Sequence, residues 1–189
     1  MIRLREGMLL YYGSYMAVEH IDLEKCRPGK DFGKGFYVTS NYEQARSFIS
    51  MSVKKIVMEG ELDPATSSGY VSAFEVRDLE SLKIYCFQDA GREWLHFVAS
   101  NRKSNLFPRE EALYSQYSVI GGKIANDQTA RTLQLYISGA FGEPGSETAD
   151  QFAIQQLLPN RLSDQFCFKT TDSLQHLLYI RSDYIAFGK

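Results

Sequence analysis

The sequence predicts an α+β fold, and three observations carry that reading. Segments of strand-like alternation and of helical periodicity follow one another unevenly along the chain. No long strand–helix–strand series of the kind that builds a parallel sheet is present. No internal repeat, low-complexity tract or interdomain linker interrupts the chain, so one domain over residues 1–189 with antiparallel pairing is expected.

Taken in order, Met8-Leu9-Leu10-Tyr11-Tyr12-Gly13-Ser14 reads as a strand ended by glycine. Residues 15–30 read mostly as connection, closing on Arg27-Pro28-Gly29-Lys30. Ser40 or Asn41 then caps a helix over residues 42–52, whose Ala45, Phe48 and Ile49 form an apolar stripe. Lys55-Ile56-Val57-Met58 is rich in β-branched residues and reads as a strand, as do residues 69–76 and 82–87. A helix beginning at Asp89 or Gly91 and reaching Asn101 would bury Trp94, Leu95, Phe97 and Val98. Residues 117–122 form a strand with a glycine break, and Asn126-Asp127 caps a helix to Ser138 that offers Leu133, Leu135 and Tyr136 to a core. Gly142-Glu143-Pro144-Gly145-Ser146 is the strongest loop signal, and it precedes a helix over residues 148–157 that Pro159-Asn160 stops. Residues 164–169 alternate, with Gln165, Cys167 and Lys169 on one face and Phe166 and Phe168 on the other. A short helix over residues 171–177 and a strand over 178–181 follow.

Composition narrows the function classes. Hydrophobic residues at 44% and charged residues at 23% are ordinary for a globular chain, and a net charge of -2 gives no long-range attraction to nucleic acid or anionic lipid. The basic runs Arg3–Arg5 and Asn101-Arg102-Lys103 read as solvated faces. No apolar run is long enough to span a bilayer, and the start carries no signal-peptide pattern. Cys26, Cys86 and Cys167 are odd in number and widely spaced, which argues against a disulfide framework or a zinc site and for a reducing cytoplasm. His20, His96 and His176 are isolated, and His96 reads as a packed residue rather than a base. Gly33-Lys34-Gly35 begins like a dinucleotide fingerprint, but Val38 stands where the third glycine belongs.

One stretch concentrates unusual chemistry: Asp31-Phe32-Gly33-Lys34-Gly35-Phe36-Tyr37-Val38-Thr39-Ser40. Phe36 and Val38 seek a core, while Gly35, Tyr37 and Thr39 share a face that suits a flat ligand laid against backbone. By itself the stretch is equally a glycine turn feeding a strand with a half-buried Tyr37. Together with Leu10-Tyr11-Tyr12-Gly13-Ser14, Gln44-Ala45, Glu93-Trp94-Leu95-His96-Phe97-Val98 with Asn101-Arg102, Ala125-Asn126-Asp127, and Leu157-Leu158-Pro159 through Asp164-Gln165-Phe166, it resembles the ADP-ribosyltransferase superfamily. Within it, the chain is similar to a bacterial family catalogued as domain of unknown function 3990. The motifs recur in order over nearly the whole chain.

The resemblance implies a split β-sheet core with flanking helices that holds NAD⁺ as substrate, with no metal. It implies a mono-ADP-ribosyltransferase, the toxin of a bacterial toxin–antitoxin pair, with an antitoxin protein as partner and a protein or nucleic acid as acceptor. The superfamily branch with a His-Tyr-Glu triad places Tyr12, Tyr37 and Gln165 at the three catalytic positions. Tyr37 would stack on nicotinamide, and the backbone of Gly13 would grip its carboxamide. Ser14 and Thr39 would add hydroxyl contacts, and Phe32, Gly33, Gly35 and Phe36 are carried over as ligand-binding. Tyr12 replaces histidine and Gln165 replaces glutamate, so the anion that would stabilise a cationic ribose is absent; losing one such contribution costs roughly 10²–10³ in rate. On this reading Gln165→Glu raises turnover. The alternatives are a catalytically degenerate NAD- or nucleotide-binding or protein-interaction module on the same fold, and a domain in which Tyr12 and Tyr37 are only core aromatics.

Overall fold

The structure, a computed structural model, describes residues 2–124, 127–157 and 163–187. The chain forms β1 (Leu9–Ser14), β2 (Phe36–Val38), the helix α1 (Tyr42–Met58), β3 (Ser68–Val76) and β4 (Ile84–Cys86). Helices α2 (Arg92–Arg102) and α3 (Pro108–Ser115) precede β5 (Val119–Lys123), and α4 (Asp127–Ile137) and α5 (Glu147–Leu157) precede β6 (Asp164–Phe168). The one-turn α6 (Thr171–Leu174) and the long strand β7 (Leu177–Ala186) follow. Among the described residues this is a mixed α+β architecture of six α-helices and two sheets. None of the helices described is long and apolar enough to cross a membrane.

The sheets run β1-β3-β7 and β2-β6-β5-β4. Every pair is antiparallel except β4 with β5, which are parallel. The sheets face each other across a core to which the first gives Leu10, Phe74, Val76 and Leu177 and the second Phe36, Val38, Val119, Phe166 and Phe168. Outside the first sheet, Ala45, Ile49 and Val53 of α1 pack on Val71. Outside the second, Trp94, Leu95, Leu133, Ala149 and Ala153 pack with Ile120 and Cys167. The second sheet is therefore apolar on both faces, which is why Gln165 through Phe168 are buried without a break.

Three expectations need correction. Lys55 to Met58 are the last turn of α1 rather than a strand. Ala45, Ile49, Val53 and Val57 repeat every four residues against the first sheet, and burial of that stripe outweighs the β preference of Ile56 and Val57. Leu135 is exposed on α4, whereas Leu133 and Tyr136 are fully buried. The final strand reaches Ala186, because β3 is long enough to pair with it from Ser68 onward. Of the two caps proposed for α1, Asn41 does the work: its Oδ1 accepts the Gln44 N–H at 3.1 Å. The Asn126 cap, Ala125 of its motif, Leu158 of another motif and the Pro159-Asn160 stop lie outside the described residues.

Candidate functional site

The two sheets meet where β1 passes β2. Tyr11 and Thr39 exchange both backbone hydrogen bonds, at 2.8 and 3.1 Å, and these are the one bridge between β1 and β2 among the described residues. In an antiparallel pair the backbone groups of successive residues turn to opposite sides. Tyr11 turns toward β2, so Tyr12 turns toward β3, and the N–H and C=O of Gly13 turn back to the β2 side, at the level of Tyr37. Past the bridge no further backbone pairing joins the two strands among the described residues. A donor–acceptor pair thus faces a wedge whose other wall is the strand carrying Tyr37.

The missing side chain of Gly13 serves a different end. A Cβ there would fall on the Ala45 carbonyl oxygen of α1, so the glycine is what lets that helix lie against β1. Gly35 is equally committed, since a Cβ would come 2.5 Å from the Cys167 Sγ and 2.7 Å from the Phe168 carbonyl oxygen. Gly33 has φ +89, in the left-handed region that the turn before β2 requires.

Tyr37 holds that turn together. Its hydroxyl accepts the Phe32 N–H at 2.9 Å and donates to the Gly33 carbonyl at 2.7 Å. Burial raises its pKa far above that of a free phenol, so it stays protonated and able to donate. Tyr37→Phe is expected to cost about 1–2 kcal/mol, because it strands a partly buried donor and acceptor while keeping the ring. Chemical denaturation measures this, and a change below about 0.3 kcal/mol would remove the hydroxyl from the turn's support.

Gln165 is buried at 4% exposure. Its Nε2 donates to the Asp31 Oδ2 at 3.1 Å and to the Lys123 carbonyl at 3.4 Å. Those two acceptors orient the amide, turning its carbonyl oxygen away from Asp31. Asp31 Oδ1 in turn accepts from Arg102 Nε at 3.1 Å and Nη2 at 2.5 Å, and Asn101 Nδ2 donates to the Asp31 carbonyl at 3.1 Å. Trp94 Nε1 donates to the same Lys123 carbonyl at 3.2 Å. The segment read as a solvated basic face, Asn101-Arg102, is therefore a clamp on a buried carboxylate. A sequence signal existed in the spacing of Asn101 and Arg102 from Trp94 on one helix, but nothing local named Asp31 as their partner.

The predicted site residues divide between the faces of the second sheet. Tyr37 and Cys167 pack with the helix-side core, and Gln165 joins that side through Asp31 and Trp94's acceptor. Tyr12 packs in the inter-sheet core, its ring 4.7 Å from that of Phe36. Burial raises the Tyr12 pKa too. Phe32 is fully buried and stacks with Tyr37, Phe87 and Phe97 at ring separations of 6.2–6.3 Å, while Phe36 is buried between the sheets. Both are core residues. Thr39 Oγ1 donates to Asp164 Oδ1 at 3.2 Å, and Ser40 meets the same carboxylate through its N–H and its hydroxyl. Ser14 is buried at the far end of β1. Burial pushes the Cys167 thiol up to about 12, so it is no nucleophile at neutral pH.

A second polar cluster lies among the helices. Asp150 accepts from Tyr136 at 2.5 Å and Arg92 at 2.6 Å, and His96 Nε2 is 2.8 Å from it. Burial alone would raise the Asp150 pKa, but those three hydrogen bonds hold it below the ordinary carboxylate value. The His96 ring lies flat on Phe107 at 3.9 Å. The histidine is a packed residue, as its sequence setting suggested, and the cluster ties α2, α4 and α5 together.

Residues 8–179 match the family described as "Protein of unknown function (DUF3990)". No curated protein matches the chain.

Proposed function

For a chain that belongs to the DUF3990 family, whose description assigns no activity, we propose an NAD⁺-dependent mono-ADP-ribosyltransferase acting in the bacterial cytoplasm as the toxin of a toxin–antitoxin pair. The wedge between β1 and β2 carries the reading: the Gly13 N–H and C=O suit the carboxamide of nicotinamide, and the oriented carbonyl oxygen of Gln165 suits a ribose hydroxyl. In the reaction the C1′–N bond to nicotinamide breaks, nicotinamide leaves with the bonding electrons, and an acceptor lone pair closes on C1′ as the acceptor's proton departs. Asp31 is the nearby anion for the ribose cation, through the Gln165 amide, although Arg102 offsets much of its charge.

That arrangement also explains glutamine. A glutamate at 165 would set a second carboxylate beside Asp31, and one of the two would have to take up a proton. Gln165→Glu is therefore expected to lower both stability and turnover, the reverse of the expectation from sequence. A second reading, a catalytically degenerate NAD- or nucleotide-binding or protein-interaction module, is favoured by the 4% exposure of Gln165 and by the placement of Tyr12 in the inter-sheet core. Calorimetric titration with NAD⁺, run beside a nicotinamide-release assay, separates the two. Binding with release by the parent, reduced in Gln165→Glu, supports the transferase; binding without release supports the module; neither binding nor release overturns both.

A further inference from the structure

A cavity of about 520 Å³ opens at the end of the second sheet where β5 finishes and β6 begins, lined by residues 2, 3 and 5–8 on one side and by Lys123, Ser163 and Asp164 on the other. Its position is separate from the Gln165 side chain. A Cβ on Gly122 would touch Phe32 and Trp94, while one on Gly121 would touch Phe166. By strand alternation Lys123 and Asp164 project with Gly121 and Phe166, on the face opposite Gln165.

The residues before β1 form a built wall. Ile2 and Leu4 are buried in the inter-sheet core, so the intervening Arg3 and the following Arg5 point outward together. Gln88 Nε2 donates to the Ile2 carbonyl at 3.1 Å, and Met8 N–H donates to the Arg5 carbonyl at 3.2 Å, which holds the segment in place. Gly7, at φ +72, gives its N–H to the Val76 carbonyl and turns the chain into β1.

Arg27, Arg46, Arg77, Arg92, Arg102 and Arg181 each have a carboxylate partner, whereas among the described residues neither Arg3 nor Arg5 takes part in a salt bridge. The two carboxylates in the lining are engaged elsewhere. Glu6 Oε1 accepts the Leu79 N–H at 3.1 Å, and Asp164 holds Thr39 and Ser40. Arg3 and Arg5 thus bring to the lining two guanidinium groups outside any salt bridge, while both lining carboxylates are held by other donors.

We propose that this cavity binds an organic diphosphate, gripped by the guanidinium groups of Arg3 and Arg5. Guanidinium groups suit paired phosphate oxygens, and the volume fits a ligand of nucleotide size. The diphosphate has two possible sources, NAD⁺ itself or a second phosphate-bearing small molecule. The inference does not depend on the transferase reading.

The test is calorimetric titration of the whole chain with inorganic pyrophosphate, ADP-ribose and NAD⁺. Parent, Arg3→Ala/Arg5→Ala, and Arg109→Ala as a charge-loss control outside the cavity are compared, with thermal melts to verify folding. Pyrophosphate is expected to bind the parent with an affinity that falls as salt rises, to bind the double variant about tenfold or more weakly, and to bind Arg109→Ala as the parent does. No binding to the parent, or equal binding to parent and double variant, overturns the proposal. If NAD⁺ affinity falls by the same factor, the cavity holds the diphosphate of NAD⁺; if NAD⁺ is unaffected, it serves a second ligand, and either result supports the site. Pyrophosphate binding by a parent that ignores NAD⁺ would sink the transferase reading and leave this one standing.

Discussion

Asp31→Ala is expected to destabilise the fold by about 3 kcal/mol. The substitution removes the acceptor that Arg102 meets through two nitrogens and that orients the Gln165 amide, both in a nearly buried setting. Breaking a buried ion pair from one side typically costs about 3–5 kcal/mol, since the surviving charge stays desolvated. The lower end applies because the Arg102 side chain keeps 21% exposure and can recruit water. Urea unfolding at constant m reads the loss. Adding Arg102→Leu should return part of it, because the double variant buries no unpaired charge, and this non-additivity separates loss of the pair from loss of packing. A change in Asp31→Ala within about 0.5 kcal/mol of the parent would mean that the clamp carries no weight. Asp31→Ala should also free the amide of Gln165 to rotate. If the parent releases nicotinamide, the variant is then expected to lose turnover at temperatures where it remains folded.

Gly13→Ala should be at least as damaging, at about 3 kcal/mol or more. Ordinary overpacking of a core costs about 1–3 kcal/mol because side chains can shift. Here the new methyl would occupy the place of the Ala45 backbone carbonyl, which only a displacement of α1 could clear. Gly29→Ala is the contrast: its φ is +74, but a methyl added there would find nothing within 4 Å. It should cost about 1–2 kcal/mol, for backbone strain alone. Thermal melts of both variants rank the effects. A Gly13→Ala protein as stable as Gly29→Ala would show that β1 and α1 do not pack through that glycine. Loss of NAD⁺ binding in Gly13→Ala is to be interpreted through this collision, not as an obstructed carboxamide grip.

Much of the fold was legible in the residues. The alternation of Phe166 and Phe168 with Gln165 and Cys167 marked β6, and the Trp94, Leu95, Phe97 and Val98 set marked α2 as buried. Both patterns are local and repeat at the period of their element, so they survive in a single sequence. The error at Lys55 to Met58 arose where two local signals competed: β-branched composition against a four-residue apolar repeat begun about ten residues earlier, at Ala45. The repeat prevailed because it faces a sheet, a fact that composition does not contain.

The sequence by itself determined the α+β class, the order of most elements, the inward direction of Phe36 and Val38, and the family motifs that drew attention to Tyr12, Tyr37 and Gln165. Tertiary structure alone decided where those side chains lie and what they touch. Asp31 and Gln165 lie 134 residues apart and Asp31 and Arg102 lie 71 apart, and no local periodicity links them. Their pairing follows from β6 carrying Gln165 beneath the turn before β2, and from α2 crossing above both. Gly13 likewise drew attention for its backbone, yet a backbone carbonyl of α1 stands where its side chain would be. An absent side chain records only that space is needed, and the packing of other elements determines what fills it.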